Sequence, residues 1–288
     1  MSIQNLRPVI VGLPGAGKST TAELIAKKYN FEVISTDKLF RVYRAISLND
    51  NDSEGHEIMK AFFERVKKLY SEKSVSFNNS ENYLELKKQA ETIDDKNCCG
   101  LKDSKIFRNL SGLIKEELSL PGDDDIFRLF EIEMNKWLNS KGIFDNKLPD
   151  LSASAILYEE NAELFSRKNG FVLILLDVSR EILEKRLFED FMFHVEESKK
   201  VGELKPKRGA YEIAARKEAG IEMVGEYENL TEEKLELVKI GLMKRSDKDR
   251  TDRMEVYKKR VEAVSGVVVK VELTMSSQNV FELVCNKL

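Results

Sequence analysis

Val9-Ile-Val-Gly-Leu-Pro-Gly-Ala-Gly-Lys-Ser-Thr20 is the stretch from which the fold of this chain is read. The apolar β-branched run Val9, Ile10, Val11 predicts a short buried strand. A glycine-rich loop follows, and Lys18, Ser19 and Thr20 open a segment in which Leu24, Ile25 and Lys28 keep a helical pattern ending near Tyr29. Gly12-x-x-x-x-Gly17-Lys18-Ser19 between a strand and a helix satisfies the Walker A pattern. Glycines let backbone N–H groups turn inward around phosphate oxygens, and the helix N-terminus adds partial positive charge. Lys18 is suited to the β/γ oxygens and the Ser19 hydroxyl to Mg²⁺. ATP and Mg²⁺ are therefore the expected cofactors, bound through Gly12, Pro14, Gly15, Ala16, Gly17, Lys18, Ser19 and Thr20.

Outward from this loop, Phe31-Glu-Val-Ile34 reads as a second strand. Strand, amphipathic helix, strand is a βαβ unit, which implies a parallel sheet with a right-handed crossover. Phe171 to Val178 predicts another strand, with Ser179 at the N-cap position of the following helix, and Val267 to Leu273 predicts the last. The expected fold class is three-layer α/β with a parallel sheet, in a single domain over residues 1–288.

Two regions depart from this alternation. Residues 45–124 read as a helical insertion, with one helix marked by Ile58, Phe62, Val66 and Leu69, another by Ile106, Leu110, Leu113 and Ile114, and a polar, loop-like middle over 78–100. Residues 189–250 form a second helical region rich in lysine and glutamate. Phe130, Met134 and Trp137 share one helical stripe and are expected in the core. His56 and His194 have no visible catalytic partner.

Hydrophobic residues make up 42% of the 288, enough for an ordinary core. The 47 basic and 50 acidic residues leave a net charge of −3, which gives no reason to expect nucleic acid or a membrane surface as partner. Cys98, Cys99 and Cys285 have no metal-binding spacing and are too few for a disulfide framework, which fits a reducing compartment. The first eight residues lack a basic segment followed by an apolar one, and the longest apolar run, Phe171 to Leu176, is too short to span a bilayer. A cytoplasmic location is expected.

Five further segments carry chemistry: Ser35-Thr-Asp37, Phe127-Arg-Leu-Phe-Glu131, Asp150-Leu-Ser-Ala-Ser-Ala-Ile-Leu-Tyr-Glu-Glu-Asn161, Gly170-Phe-Val-Leu-Ile-Leu-Leu-Asp-Val-Ser-Arg-Glu-Ile-Leu-Glu-Lys-Arg186 and Arg253-Met-Glu-Val-Tyr257. Together with the phosphate loop they resemble the shikimate kinase family over residues 6–45, 124–188 and 250–288. The resemblance implies a P-loop kinase that phosphorylates a hydroxyl of a small carboxylate-bearing metabolite. It implies that Asp37 holds that hydroxyl, that Arg128 and Arg253 bind the substrate carboxylate, and that Arg186 covers the adenine. It also makes 45–124 an enlarged substrate-binding subdomain and 189–250 an enlarged lid. The family's lid arginine has its nearest candidate in Arg208 of Lys205-Pro-Lys-Arg-Gly209, with Lys199, Lys200 and Lys207 as competitors.

The chain departs from the family at two places. Ser35 stands where the family has a first aspartate that orders the magnesium shell, and Asp150 is the expected replacement as metal ligand. Ser152, Ala153 and Ser154 stand where the family has a Gly-Gly-Gly substrate loop, which adds side chains beside the substrate and favours an acceptor other than shikimate. Plain alternatives exist for the key residues: Asp37 as a helix N-cap, Arg128 as a surface partner of Asp123 to Asp125, and Arg253 on a solvated face with Arg250 and Lys258. The competing functional class is a catalytically idle nucleotide-binding protein, a pseudokinase whose charged helical insertions bind a protein partner.

Overall fold

The structure, a computed structural model, describes residues 6–46, 53–72, 124–153, 155–201, 210–221, 230–272 and 274–287. In chain order the elements are β1 (Arg7–Gly12), α1 (Lys18–Tyr29), β2 (Glu32–Ser35), α2 (Thr36–Ile46), α3 (Ser53–Glu72), α4 (Asp124–Ser140), β3 (Lys147–Asp150), α5 (Glu159–Leu164) and β4 (Phe171–Val178). There follow α6 (Arg180–Val201), α7 (Ala210–Glu218), α8 (Glu232–Asp249), a π-helical turn (Arg250–Met254), α9 (Glu255–Ala263), β5 (Val267–Val271) and α10 (Ser277–Lys287). The expected second insertion helix, Ile106 to Ile114, the polar stretch 78–100 with Cys98 and Cys99, and the candidates Ser154 and Arg208 lie outside the described residues.

The five strands make one parallel sheet in the order β2-β3-β1-β4-β5. This is the three-layer α/β class expected from the βαβ unit at the phosphate loop. β1 pairs with β4 from Arg7 opposite Phe171 to Gly12 opposite Leu176, so the glycine loop leaves the sheet at a position fixed by the longest strand. Phe171 to Leu176 is buried throughout, as a continuous apolar run must be when helices cover both faces of a parallel sheet.

The chain divides into two compact units, one of residues 1–30 with 165–288 and the other of residues 31–164. In the first unit α1 packs on β1 and on α10, and α9 lies against β4 and β5. The helix α8 starts at Thr231, whose hydroxyl accepts from the Lys234 N–H at 3.3 Å, with Glu232 and Glu233 in the first turn where the helix dipole favours acids. In the second unit the fully buried ring of Phe130 meets Phe40 and Phe62 edge-on, at 5.9 and 5.8 Å, joining α2, α3 and α4. Arg65 of α3 bonds to Glu133 at 2.7 Å and Glu160 at 2.8 Å, tying that helix to α4 and α5.

Three sequence expectations change. Lys147-Leu-Pro-Asp150, poor in strand-forming residues, is strand β3, because Leu148 and Pro149 are buried and β2 pairs beside them. Tertiary pairing outweighs local propensity there. The last strand stops at Val271. Phe130 and Met134 are core residues, but Trp137 is only partly covered: its indole N–H donates to Glu57 at 2.6 Å and its ring lies 5.3 Å from Tyr43. Among the described residues no helix is long and apolar enough to cross a membrane.

Gly241 sets the spacing between α8 and α7. A Cβ there would lie 2.7 Å from the Ala214 carbonyl oxygen and 2.9 Å from the Ala215 Cα, both backbone atoms that cannot step aside alone. Gly241→Ala is therefore expected to lower stability by about 1–3 kcal/mol through overpacking, read as a reduced urea midpoint.

Candidate functional site

The phosphate loop turns through Gly12, Gly15 and Gly17, with φ of 154°, 78° and 88°. The last two values lie in the left-handed region, which side-chain-bearing residues resist. Leu13 and Ala16, buried between these turns, anchor the loop to the core, while Pro14 is partly exposed. Gly17 is also the N-cap of α1 and brings no side-chain acceptor to the first-turn N–H groups. A helix start of this kind is an anion site by geometry and by dipole. Ser19 and Thr20 are exposed in that first turn.

Two cations organise the carbonyl side of the loop. The Lys18 ammonium donates to the Leu13 carbonyl at 3.3 Å, folding over the loop. The Arg186 guanidinium, from α6, donates to the carbonyls of Ala16 at 3.0 Å and Gly15 at 3.4 Å. A Cβ on Gly17 would stand 3.1 Å from Arg186 Nη1, so the glycine also makes room for this arginine. Arg186 is thus part of the loop's own scaffold.

A second cluster in the same unit surrounds Asp249, which is 2% exposed at the end of α8. Its carboxylate accepts from the Tyr211 hydroxyl of α7 at 2.8 Å and pairs with Arg245 at 3.0 Å and Arg253 at 3.5 Å. Arg253 therefore does not lie on a freely solvated face. It sits in the π-helical turn, a distortion often found at functional sites, beside Arg250, whose guanidinium donates to the Val178 carbonyl at the end of β4. Burial, reinforced by the charge and hydrogen bond of Asp249, pushes the Tyr211 phenol far above its ordinary range.

In the second unit Thr36, fully buried at the start of α2, donates to the Asp150 carbonyl at 3.3 Å and accepts from the Ser152 N–H at 3.3 Å. Ser35 lies opposite Asp150 in the β2–β3 register. Asp37 occupies the first turn of α2, half-buried, and the capping acceptor there is the Ser35 hydroxyl, 3.5 Å from the Lys38 N–H. Arg128 pairs within α4 with Glu131, which is 0% exposed: Nη1 donates to Oε2 at 2.6 Å. The same Nη1 donates to the Ser152 hydroxyl at 3.2 Å, and that hydroxyl donates to Glu131 Oε1 at 2.7 Å. Ala153 is half-buried beside them in sequence.

Of the expected site residues, the structure thus joins Arg186 to the phosphate loop, and Arg128 to Ser152. Arg253 belongs to the Asp249 cluster. Glu131, Thr36, Asp249, Arg245 and Tyr211 carry the polar scaffolding; Glu131 and Thr36 lie inside motifs marked by sequence, and Asp249, Arg245 and Tyr211 do not. The i,i+4 spacing of Arg245, Asp249 and Arg253 is a signal that could have marked the Asp249 cluster. Among the described residues no group of three or more His, Cys, Asp or Glu side chains could hold a metal ion. Magnesium in nucleotide sites needs only one or two protein ligands besides phosphate and water, so hydroxyl and carboxylate oxygens such as those of Ser19 and Asp150 fit its chemistry.

Comparison with known proteins gives short matches in sequence. Residues 11–77 match the family described as AAA domain. Adenylate kinase from Lactococcus lactis subsp. cremoris (strain MG1363) is 40% identical over 57 residues, 20% of this chain and 24% of that protein. Adenylate kinase from Listeria monocytogenes serotype 4a (strain HCC23) is 56% identical over 36 residues, 12% of this chain and 17% of that protein. The chain thus spans a quarter or less of the curated relatives it matches. Among solved structures, shikimate kinase from Bacteroides thetaiotaomicron is 14% identical with a TM-score of 0.45, covering 98% of this chain and 97% of that one. The phosphate loop and parallel sheet define a P-loop NTPase fold. Stretches of 57 and 36 residues of this chain are similar to these adenylate kinases.

Two outcomes are expected for the Asp249 cluster. Asp249→Asn leaves two arginines without their buried counter-charge and should cost about 3–5 kcal/mol, measured by chemical denaturation. For Tyr211, the raised folded-state pKa means that the unfolded chain loses the phenolic proton first. Its contribution is full below about pH 10 and declines as pH rises beyond that value. Urea midpoints followed from neutral pH into this alkaline range should therefore fall less steeply for Tyr211→Phe than for the wild type.

Proposed function

We propose that this chain is an ATP-dependent phosphotransferase acting on a hydroxyl of a small carboxylate-bearing metabolite, with an acceptor other than shikimate favoured by Ser152, Ala153 and Ser154. The observation that carries the proposal is the phosphate loop, with left-handed Gly15 and Gly17 before an α1 start that has no side-chain cap. The held guanidinium of Arg128 supports a carboxylate-bearing acceptor, since an arginine fork matches carboxylate geometry.

On this reading the loop N–H groups and Lys18 bind the β and γ phosphates, and Arg186 keeps the loop in shape beside the nucleotide. Asp37 orients the acceptor hydroxyl and takes its proton as that oxygen bonds to the γ-phosphorus. The bond from the γ-phosphorus to the bridging oxygen breaks, and ADP departs with the electron pair. Arg128 and Arg253 hold the acceptor carboxylate, and Arg208 is the lid cation for the transferring phosphoryl. Ser19 and Asp150 would hold Mg²⁺, which would supply neutralisation of the phosphate charge. Residues 45–124 then serve acceptor binding, and residues 189–250 serve as the lid that excludes water. The joint presence of Lys18, Asp37 and Arg128 supports turnover over an idle nucleotide-binding role.

The test is phosphorus NMR of the full chain with ATP and Mg²⁺, across a panel of hydroxy acids that includes shikimate. AMP is added as a phosphate-bearing acceptor because of the adenylate kinase similarity. A new phosphate ester from a hydroxy acid is the expected result, and ADP formed from AMP would redirect the acceptor assignment. With an accepted substrate, Asp37→Asn should lower kcat by about 10²–10⁴-fold while ATP affinity changes little. Unchanged turnover in that variant would remove Asp37 from the mechanism.

A further inference from the structure

The serine that stands in the family's glycine loop does not point its hydroxyl at an open surface. Ser152 Oγ accepts from Arg128 Nη1 at 3.2 Å and donates to Glu131 Oε1 at 2.7 Å, while the other Glu131 oxygen takes Arg128 Nη1 at 2.6 Å. The three side chains close a ring. Glu131 is 0% exposed, and a buried carboxylate needs partners for both oxygens. Arg128 serves one oxygen and Ser152 the other. Ser152 is itself fixed through its N–H, which donates to Thr36 at 3.3 Å, and Thr36 in turn holds the Asp150 carbonyl. One hydrogen-bonded chain therefore runs from Arg128 through Ser152 to the residue that precedes Asp37.

We propose that Ser152 is a positioning residue that sets the orientation of the Arg128 guanidinium, so that this chain selects its acceptor anion through a preset arginine rather than through an open glycine loop. The inference rests on the reading of Arg128 as an acceptor ligand. A bare loop would leave Glu131 Oε1 without the serine hydroxyl, and both Glu131 and Arg128 would gain rotameric freedom. Binding would then have to order them. With serine present, that cost is met on folding, which is preorganisation of the binding group. The hydroxyl has spent its proton on Glu131 and accepts from Arg128, so its effect on the acceptor is indirect.

The experiment compares wild type with Ser152→Ala, Ser152→Gly and the hydroxyl-retaining Ser152→Thr. The first readout is NMR of the arginine side chains in the full chain, with the Arg128 signals identified by their loss in Arg128→Lys. Separate Nη resonances, reporting hindered rotation, are expected in wild type and Ser152→Thr and should merge in Ser152→Ala and Ser152→Gly. The second is steady-state kinetics with the acceptor found by phosphorus NMR. The acceptor KM should rise about tenfold in the two variants lacking the hydroxyl, with the KM for ATP unchanged and Ser152→Thr close to wild type. Arg128 signals that stay as in wild type when the hydroxyl is removed would overturn the proposal. So would equal increases in both KM values with a lowered melting temperature, since that pattern marks a general effect on the fold. If no acceptor is turned over by wild type, the functional reading fails, and the NMR comparison alone decides the positioning role.

Discussion

A backbone can direct several N–H groups at one point only by turning through conformations that side chains oppose, and much of this molecule is arranged to hold such a turn. β1 delivers the loop from a fully buried position against β4. Gly15 and Gly17 take the left-handed φ values, and Leu13 and Ala16 pin the intervening residues in the core. Turning the N–H groups inward sends carbonyls the other way, and these also need partners. Arg186 takes those of Gly15 and Ala16, and Lys18 that of Leu13. The loop is therefore supported on its outer side by the same class of residue, a cation, that phosphate calls for on the inner side.

Elsewhere the polar architecture depends on two buried carboxylates, one in each compact unit. Glu131 holds Arg128 in the second unit, and Asp249 gathers Arg245, Arg253 and Tyr211 in the first. Buried ion pairs contribute little to stability, because desolvation offsets most of the Coulomb attraction. Their use is geometric: a long arginine side chain with many rotamers becomes a fixed donor when a buried acid holds it. Both arginines that the family resemblance names as carboxylate ligands are anchored in this way.

How far the site could be read in advance differs from residue to residue. The phosphate loop was legible because its chemistry is carried by backbone freedom at Gly12, Gly15 and Gly17 and by the adjacent Lys18 and Ser19, all within one short segment. Asp37 and Arg128 were marked by motif, but their surroundings were not. The Ser35 hydroxyl accepts from the Lys38 N–H at the start of α2, and Arg128 pairs with Glu131. The Ser152 hydroxyl donates to Glu131, a contact that the motif alone does not reveal. Arg186, expected over the adenine, donates to loop carbonyls that lie 170 and 171 positions away in sequence.

The sequence alone determined the order of strand, glycine loop and helix, the parallel sheet that a βαβ unit imposes, and the candidate cations and carboxylates. Those follow from local rules of φ freedom, hydrophobic period and side-chain chemistry, which neighbouring residues decide among themselves. Only the tertiary structure decided that Lys147–Asp150 is a strand, that Thr36 and Ser152 link its end to α2, and that Glu131 and Asp249 are the buried anchors of the arginines. Burial is the physical reason. A hydroxyl or carboxylate exposed to water has many equivalent partners, and it acquires one particular partner when distant segments close over it and every remaining lone pair must be satisfied.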